Sequence, residues 1–292
     1  MENLTNINVV RDLAARHGFH FSKGLGQNFL INPTVCPRIA EEGNAKAGFG
    51  VLEIGTGFGV LTAELAKRAD KVVAVEIDER LLPVLQETLA EFQNVTVIQG
   101  DIMKTDLPAL LAEQFGDMPV AVCANLPYYI TSPVLMLLLE QQLPITSITV
   151  MVQKEAAQRL CAEVGTREAG AITVGVRFHG TARQLFSVSR GSFLPAPNVD
   201  SAVIRIDLHP QPLDPEVDTR FFFRMVKSGF SQRRKTLANA LASMQGIPKE
   251  QVYAALRTLE LPEAARIEQL KMQELLALAK CLQTANANTG GC

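Results

Sequence analysis

Four short apolar runs between residues 51 and 124 constrain this chain more than any other feature. Val51-Leu52-Glu53-Ile54, Val72-Val73-Ala74-Val75, Val95-Thr96-Val97-Ile98 and Val120-Ala121-Val122-Cys123-Ala124 have the length and β-branching of buried strands. A helix is expected over 60–68, between the first two, which points to an open α/β sheet. Such a sheet binds ligands just beyond the carboxyl ends of its strands. The residues that close each run therefore matter most. The first run passes into Gly55-Thr56-Gly57-Phe58-Gly59 and the second into Glu76-Ile77-Asp78. The third delivers Gln99-Gly100-Asp101, and the fourth ends abruptly in Asn125-Leu126-Pro127-Tyr128.

In that last stretch Pro127 fixes its own φ and pushes Leu126 towards an extended conformation. The Leu126 carbonyl is then outside helical bonding and free to accept from a ligand. With the Asn125 amide and the Tyr128 ring it suits a flat, hydrogen-bonding, π-faced ligand such as a nucleobase. Taken alone, the same residues also make an ordinary strand-to-helix turn with Asn at a cap. A dinucleotide fingerprint would need its third glycine at position 60, which is Val60. Glycines at 55, 57 and 59, with an acid ending the second strand, instead resemble the S-adenosylmethionine version of this fold. There the glycines let the backbone approach the ligand, and Glu76 can accept both ribose hydroxyls. Asp101 can accept from an exocyclic amine such as that of adenine, although a turn Asp after glycine is equally common.

The chain has 292 residues, 47% hydrophobic and 20% charged, which is the composition of a globular protein with one large and one small domain. The longest aliphatic run, 134–139, is too short to span a bilayer. The first residues lack the basic and apolar regions of a signal peptide. Five cysteines (Cys36, Cys123, Cys161, Cys281, Cys292) are scattered without Cys-x-x-Cys spacing, so free thiols, no metal site and a cytoplasmic location are expected. The net charge of −2 is unevenly spread. Residues 41–118 carry 14 acidic and 6 basic side chains, 151–205 carry 4 and 7, and 224–257 carry 1 and 7. A polyanion would meet the later segments and avoid the first.

Residues 1–22 pattern as an amphipathic helix, broken at Gly18. Asn32-Pro33 can open a further helix. Ile148-Thr149-Val150-Met151-Val152 is a fifth strand, followed by a helix to about residue 160, while 171–178 fits helix and strand equally. Residues 184–188 and 202–208 alternate like antiparallel strands that close such sheets. Between them Phe193-Leu194-Pro195-Ala196-Pro197 forms a stiff loop offering an aromatic ring. Prolines at 210–215 mark a linker, and the pattern is then helical to about 282. The expected division is an N-terminal helical extension 1–22, an α/β domain 23–209, a helical domain 210–282 and a disordered tail 283–292.

Taken in order, these motifs resemble the KsgA (RsmA) family of rRNA adenine dimethyltransferases. The resemblance is carried by Gly26-Gln27-Asn28-Phe29-Leu30, by Glu53-Ile54-Gly55-Thr56-Gly57-Phe58-Gly59, by Val75-Glu76-Ile77-Asp78 and by Gly100-Asp101. Asn125-Leu126-Pro127-Tyr128-Tyr129-Ile130, Gln153-Lys154-Glu155, the loop 193–201 and Phe230-Ser231-Gln232-Arg233-Arg234-Lys235-Thr236-Leu237 complete the set. One departure is Thr56, where the family usually has proline. The resemblance implies a Rossmann-like methyltransferase sheet with helices on both faces, plus a small C-terminal helical domain. It implies methylation, with S-adenosylmethionine as donor, of N6 on two adjacent adenosines near the 3′ end of 16S rRNA, by a monomer with no membrane partner. The substrate would be that rRNA within the small ribosomal subunit or its precursor.

By motif position the donor would be held by Asn28, Leu30, Gly55, Glu76, Asp101 and Asn125, with Gln27 and Gly57 as additions. The reacting base would meet Asn125, Leu126 and Pro127 and sit between Tyr128 and Phe193. From the charge pattern, Lys227, Arg233, Arg234 and Lys235 are the candidate RNA contacts. A 23S rRNA dimethyltransferase, a DNA adenine methyltransferase and a non-catalytic ribosome-assembly factor stay open as alternatives. The basic run at 233–235 and the long helical tail favour the small-subunit enzyme, and the intact acids and Tyr128 favour catalysis.

Overall fold

A computed structural model of the chain describes residues 3–22, 24, 26–141, 143–211, 213–242, 244 and 247–289. Nine strands occur among them: β1 (Phe29–Leu30), β2 (Gly50–Ile54), β3 (Lys71–Glu76), β4 (Val95–Gln99), β5 (Val120–Asn125), β6 (Ile145–Gln153), β7 (Gly180–Val188), β8 (Phe193–Leu194) and β9 (Ser201–Leu208). Seven of them form one sheet in the order β4-β3-β2-β5-β6-β9-β7. The first five in that order run parallel, and β9 lies antiparallel to β6. Helices Val60–Ala66, Leu82–Thr88, Leu107–Phe115 and Thr131–Glu140 make the crossovers that parallel neighbours require.

Successive side chains of a strand point to opposite faces, and all five residues of β2 are buried. Both faces of the sheet are therefore covered, which explains the unbroken apolar runs in the sequence. The chain lays β3 and β4 on one side of β2 and then returns to place β5 on the other. That reversal is the switch point at which open α/β sheets bind ligands. Register pairs Ile54 with Ala124, so the glycine loop and Asn125-Leu126-Pro127-Tyr128 leave the sheet side by side.

The chain divides into two compact units. The sheet unit takes Met1–Ala157 and Ala182–Leu208, and the other takes Gln158–Thr181 with the chain from His209 onward. The N-terminal helix occupies Ile7–Arg16, shorter than the 1–22 stretch, with Asn6 as its side-chain cap. Its Val10, Leu13 and Ala14 pack with Phe58, Leu81 and Leu85 of the sheet unit.

The second unit is helical around Phe178, Phe222, Met225, Leu256 and Leu278. The Phe178 and Phe222 rings stack 5.0 Å apart. Residues 171–178, ambiguous in sequence, belong to a helix Ala171–His179 whose Val174 and Phe178 enter this core. Residues 158–181 thus gather with the helices that follow the proline linker, away from the 23–209 stretch in which the sequence pattern grouped them. The tail also differs from expectation. Its final helix does not stop near 282 but runs from Met272 to Thr289, and 290–292 lie outside the described residues. No helix among the described residues is long and apolar enough to cross a membrane.

Candidate active site

Two short strands far apart in sequence build one wall of the site. β1 and β8 pair antiparallel, Phe29 opposite Leu194 and Leu30 opposite Phe193. The Phe29 ring packs on Phe58 with centroids 4.6 Å apart, inside the cluster that holds the N-terminal helix. This anchor fixes Asn28 and Leu30 on one side and brings Phe193, itself buried, to the same place.

At the carboxyl ends of the strands lies a cavity of about 300 Å3. Its lining includes all six residues expected to hold a donor: Asn28, Leu30, Gly55, Glu76, Asp101 and Asn125. Leu126, Pro127, Tyr128 and Phe193 line it too, as do Gln27 and Gly57. Gly55 has φ +77°, a conformation that L side chains rarely adopt. A Cβ placed there would meet nothing within 4 Å, so the backbone faces open space where a ligand can approach closely.

The Asn125 amide is oriented by a long hydrogen bond from its Nδ2 to the Asn28 carbonyl, 3.4 Å, which leaves Oδ1 as an acceptor. The turn after it uses the Pro127 carbonyl, which accepts from the Ile130 N–H at 3.1 Å and the Thr131 hydroxyl at 3.4 Å. The Leu126 carbonyl accepts from no donor among the described residues. Two acceptors therefore stand on adjacent residues beside the cavity. The Tyr128 hydroxyl is 2.8 Å from Ser201 Oγ, which pins its ring. Burial raises the pKa of that hydroxyl, so it stays neutral at physiological pH.

Glu76 is buried and held from two sides. Its Oε2 accepts from the Thr56 N–H at 2.9 Å, the Thr56 hydroxyl at 2.9 Å and the Gly57 N–H at 3.3 Å. Its Oε1 accepts from the Asp78 N–H at 2.9 Å. Asp101 is partly exposed, with Oδ1 accepting from the Met103 N–H at 3.0 Å and Oδ2 3.8 Å from Lys104 Nζ. Gln27 is bound to Asp78, its Nε2 donating to Oδ2 at 2.7 Å.

Three features of the lining carried no assignment from the sequence. Ile77 and Met103, both exposed apolar side chains, flank the strand-end acids. Glu53 is fully buried within β2, and neither of its carboxyl oxygens has a hydrogen-bond partner among the described residues. Burial, with a further push from the Glu76 charge, raises its pKa to about 8, while the Thr62 hydroxyl, nearby but outside hydrogen-bonding geometry, offsets a part. The Cys36 and Cys123 thiols are pushed up as well, by burial first and then by Glu53. An acid inside an otherwise apolar run was the available signal for Glu53. Among the described residues no cluster of His, Cys, Asp or Glu could hold a metal ion.

The candidate RNA contacts lie in the helical unit and fall into two kinds. Lys227, Arg234 and Lys235 are exposed and make no ion pair among the described residues. On helix Thr219–Ser231, Arg220 and Arg224 precede Lys227 at helical spacing and are exposed as well. Arg233 differs: its Nε lies 3.0 Å from Glu268 Oε2, one terminal nitrogen donates to the Arg167 carbonyl at 2.8 Å, and it covers the Phe230 ring. It ties its own unit together.

Residues 18–284 match the family model described as ribosomal RNA adenine dimethylase. The chain is 43% identical over 286 residues to proteins named ribosomal RNA small subunit methyltransferase A from Bacillus mycoides (strain KBAB4) and Bacillus cereus (strain AH187). Those alignments cover 97% of this chain and 98% of each relative. Among solved structures, the 23S rRNA methyltransferase ErmE superposes with a TM-score of 0.66 at 29% identity, covering 88% of this chain and 100% of that one. A dimethyladenosine transferase from Plasmodium falciparum superposes with a TM-score of 0.72 at 26% identity, covering 86% and 95%.

Proposed function

This chain belongs to the ribosomal RNA adenine dimethylase family, and we propose that it methylates N6 of two adjacent adenosines near the 3′ end of 16S rRNA. The donor is S-adenosylmethionine, the products are N6,N6-dimethyladenosines, and the step belongs to maturation of the small ribosomal subunit. The enzyme works as a monomer in the cytoplasm, on the rRNA within the subunit or its precursor. One observation carries this reading: a single cavity joins the glycine loop and strand-end acids to two adjacent acceptors and two aromatic rings. The 43% identity over nearly the whole chain to relatives named for the small subunit, against 29% to the 23S enzyme, supports 16S rRNA over 23S rRNA as the substrate.

The lining suits a ligand with an adenine, a ribose diol and a cationic end. Open space above Gly55 admits it, and Glu76 and Asp101 offer acceptors. S-adenosylmethionine, when bound, supplies an electrophilic methyl on a sulfonium. Everything else falls to the protein. Adenine N6 is a poor nucleophile because its lone pair is delocalised into the ring. Asn125 Oδ1 and the Leu126 carbonyl accept the two N6 hydrogens and favour a pyramidal nitrogen whose lone pair is aimed. Tyr128 and Phe193 hold the base by its faces, returning about 1–3 kcal/mol per stacked base towards the cost of unstacking it. No side chain is assigned as a general base, and positioning carries the rate.

The product tests the site. Monomethyl adenosine still has one N6 hydrogen for one acceptor, so it should react again, whereas the dimethylated base has none and should leave. Unmodified small subunits incubated with excess donor should accumulate dimethyladenosine at two neighbouring positions, with the monomethyl species only transient. Mass spectrometry of the nucleosides reads this directly. A stable monomethyl product, or modification of 23S rRNA instead, would overturn the reading.

RNA docking is proposed for the exposed basic residues, with Arg233 in a supporting role. Reversing the charge of Lys227 and Arg234 together should weaken RNA binding. It should also reduce the salt dependence, by about 0.7–0.9 in slope for each phosphate that is no longer neutralised. Binding titrations at several salt concentrations check it, and an unchanged slope would mean that these charges face solvent only.

A further inference from the structure

Glu76 is expected to accept the ribose hydroxyls, yet one of its two oxygens is already occupied. Three donors converge on Oε2, and two of them come from Thr56: its backbone N–H and its hydroxyl, both at 2.9 Å. Thr56 is 5% exposed and Glu76 4%, so these bonds form out of water, where bonds to a charged acceptor are strong. Proline, the usual residue of the resembling family here, has neither an N–H nor a hydroxyl and could make neither bond. The Thr56 carbonyl also accepts from the Gly59 N–H at 3.0 Å, so the residue joins the turn of the glycine loop to the carboxylate. On the opposite side Oε1 accepts, among the described residues, only the Asp78 N–H, and Asp78 is itself held by Arg80 and Gln27.

We propose that Thr56 is a positioning residue for the donor's ribose, committing Glu76 Oε2 to the glycine loop so that Oε1 is the oxygen offered to the hydroxyls. A carboxylate fixed by four protein donors does not have to be ordered when the ligand arrives, and less is lost on binding. The inference rests on the pocket being a site for S-adenosylmethionine, as proposed above. It goes beyond that reading in giving this chain a ribose-orienting hydroxyl of its own.

The test uses calorimetry on the full-length protein with S-adenosylhomocysteine and with its 2′-deoxy counterpart. Thr56→Val removes the hydroxyl at nearly constant volume and should weaken S-adenosylhomocysteine binding about fivefold, the scale of one hydrogen bond to a charged group moderated by the donors that remain. Thr56→Ser keeps both donors and should bind within about twofold of the parent. The deoxy ligand, with a hydroxyl missing, should be weakened clearly less by Thr56→Val than the full ribose. Equal weakening of both ligands would mean that Thr56 shapes the loop and does not act through Glu76. Unaltered affinity in Thr56→Val, or failure of Thr56→Ser to restore it, would overturn the proposal alone. If the parent protein binds neither ligand, the assignment of the pocket to the donor falls, and the role of Thr56 with it. Melting temperatures of the two variants, expected to agree with each other to within a few degrees, exclude unfolding as the cause.

Discussion

Tyr128→Ala is expected to lower methyl transfer about 100-fold while leaving donor binding within about twofold. The ring is fixed by the hydrogen bond of its hydroxyl with Ser201, at 2.8 Å, so it is presented to a base and does not have to be ordered by it. Removing one stacked face costs roughly 1–3 kcal/mol per base. A base held on one side only also loses the alignment of its N6 lone pair, which enlarges the effect on the chemical step. Tyr128→Phe keeps the ring but not the bond to Ser201, and should retain most of the rate. Single-turnover transfer to unmodified small subunits measures the first quantity and calorimetry with S-adenosylhomocysteine the second. Transfer at the parent rate in Tyr128→Ala would remove the stacking role. A parallel collapse of donor binding would assign the ring to the wrong ligand.

The strand ends were legible because each is a local pattern. Glycines after β2, Glu76 after β3, Asp101 after β4 and Asn125 after β5 need only the rule that open sheets bind at their carboxyl edge. The cavity gathers all of them. What brings Phe193 and Asn28 into that cavity was not legible, because the β1–β8 ladder pairs residues more than 160 positions apart through two residues of each strand. Two-residue strands leave no periodicity to read. The helix Ala171–His179 was obscured by β-branched Ile172, Val174 and Val176, which fit a strand as well. Burial of Phe178 among the helices of the second unit decides the matter, and that is tertiary information.

Arg233 teaches the same lesson in charge. In sequence it is one of three consecutive cations, equivalent to Arg234 and Lys235. In the fold its guanidinium is spent on Glu268 and the Arg167 carbonyl, while its neighbours remain exposed. Charge counting finds a basic segment but not which cations are free to meet phosphate. Thr56 is the complementary case. In sequence it stands only as a departure from the usual proline, and in the structure it supplies two of the four donors that hold Glu76.

The largest stability effect is expected at Glu53, whose carboxyl is fully buried with no hydrogen-bond partner among the described residues. Burial raises its pKa from an ordinary 4.5 to about 8. In the folded protein it therefore keeps a proton that the unfolded chain has already released between those two values. Stability from this group is fully present below about pH 4.5, falls as pH rises through the window, and levels off above about pH 8. A shift of that size corresponds to a loss on the order of 5 kcal/mol across the window. The neighbouring groups do not cancel it. Glu76 repels the same charge, and the Cys36 and Cys123 thiols have pKa values raised by burial and by Glu53, so they stay protonated. Glu53→Gln has no proton to lose. It should be close to the parent in stability near pH 5 and more stable by a few kcal/mol near pH 8, because only the parent must there hold a proton that its unfolded chain has released or carry a buried charge. Denaturant unfolding of both proteins at several pH values gives the difference, in which all other titrating groups subtract out. A difference that does not change with pH would show that Glu53 is already ionised and paired in the folded protein.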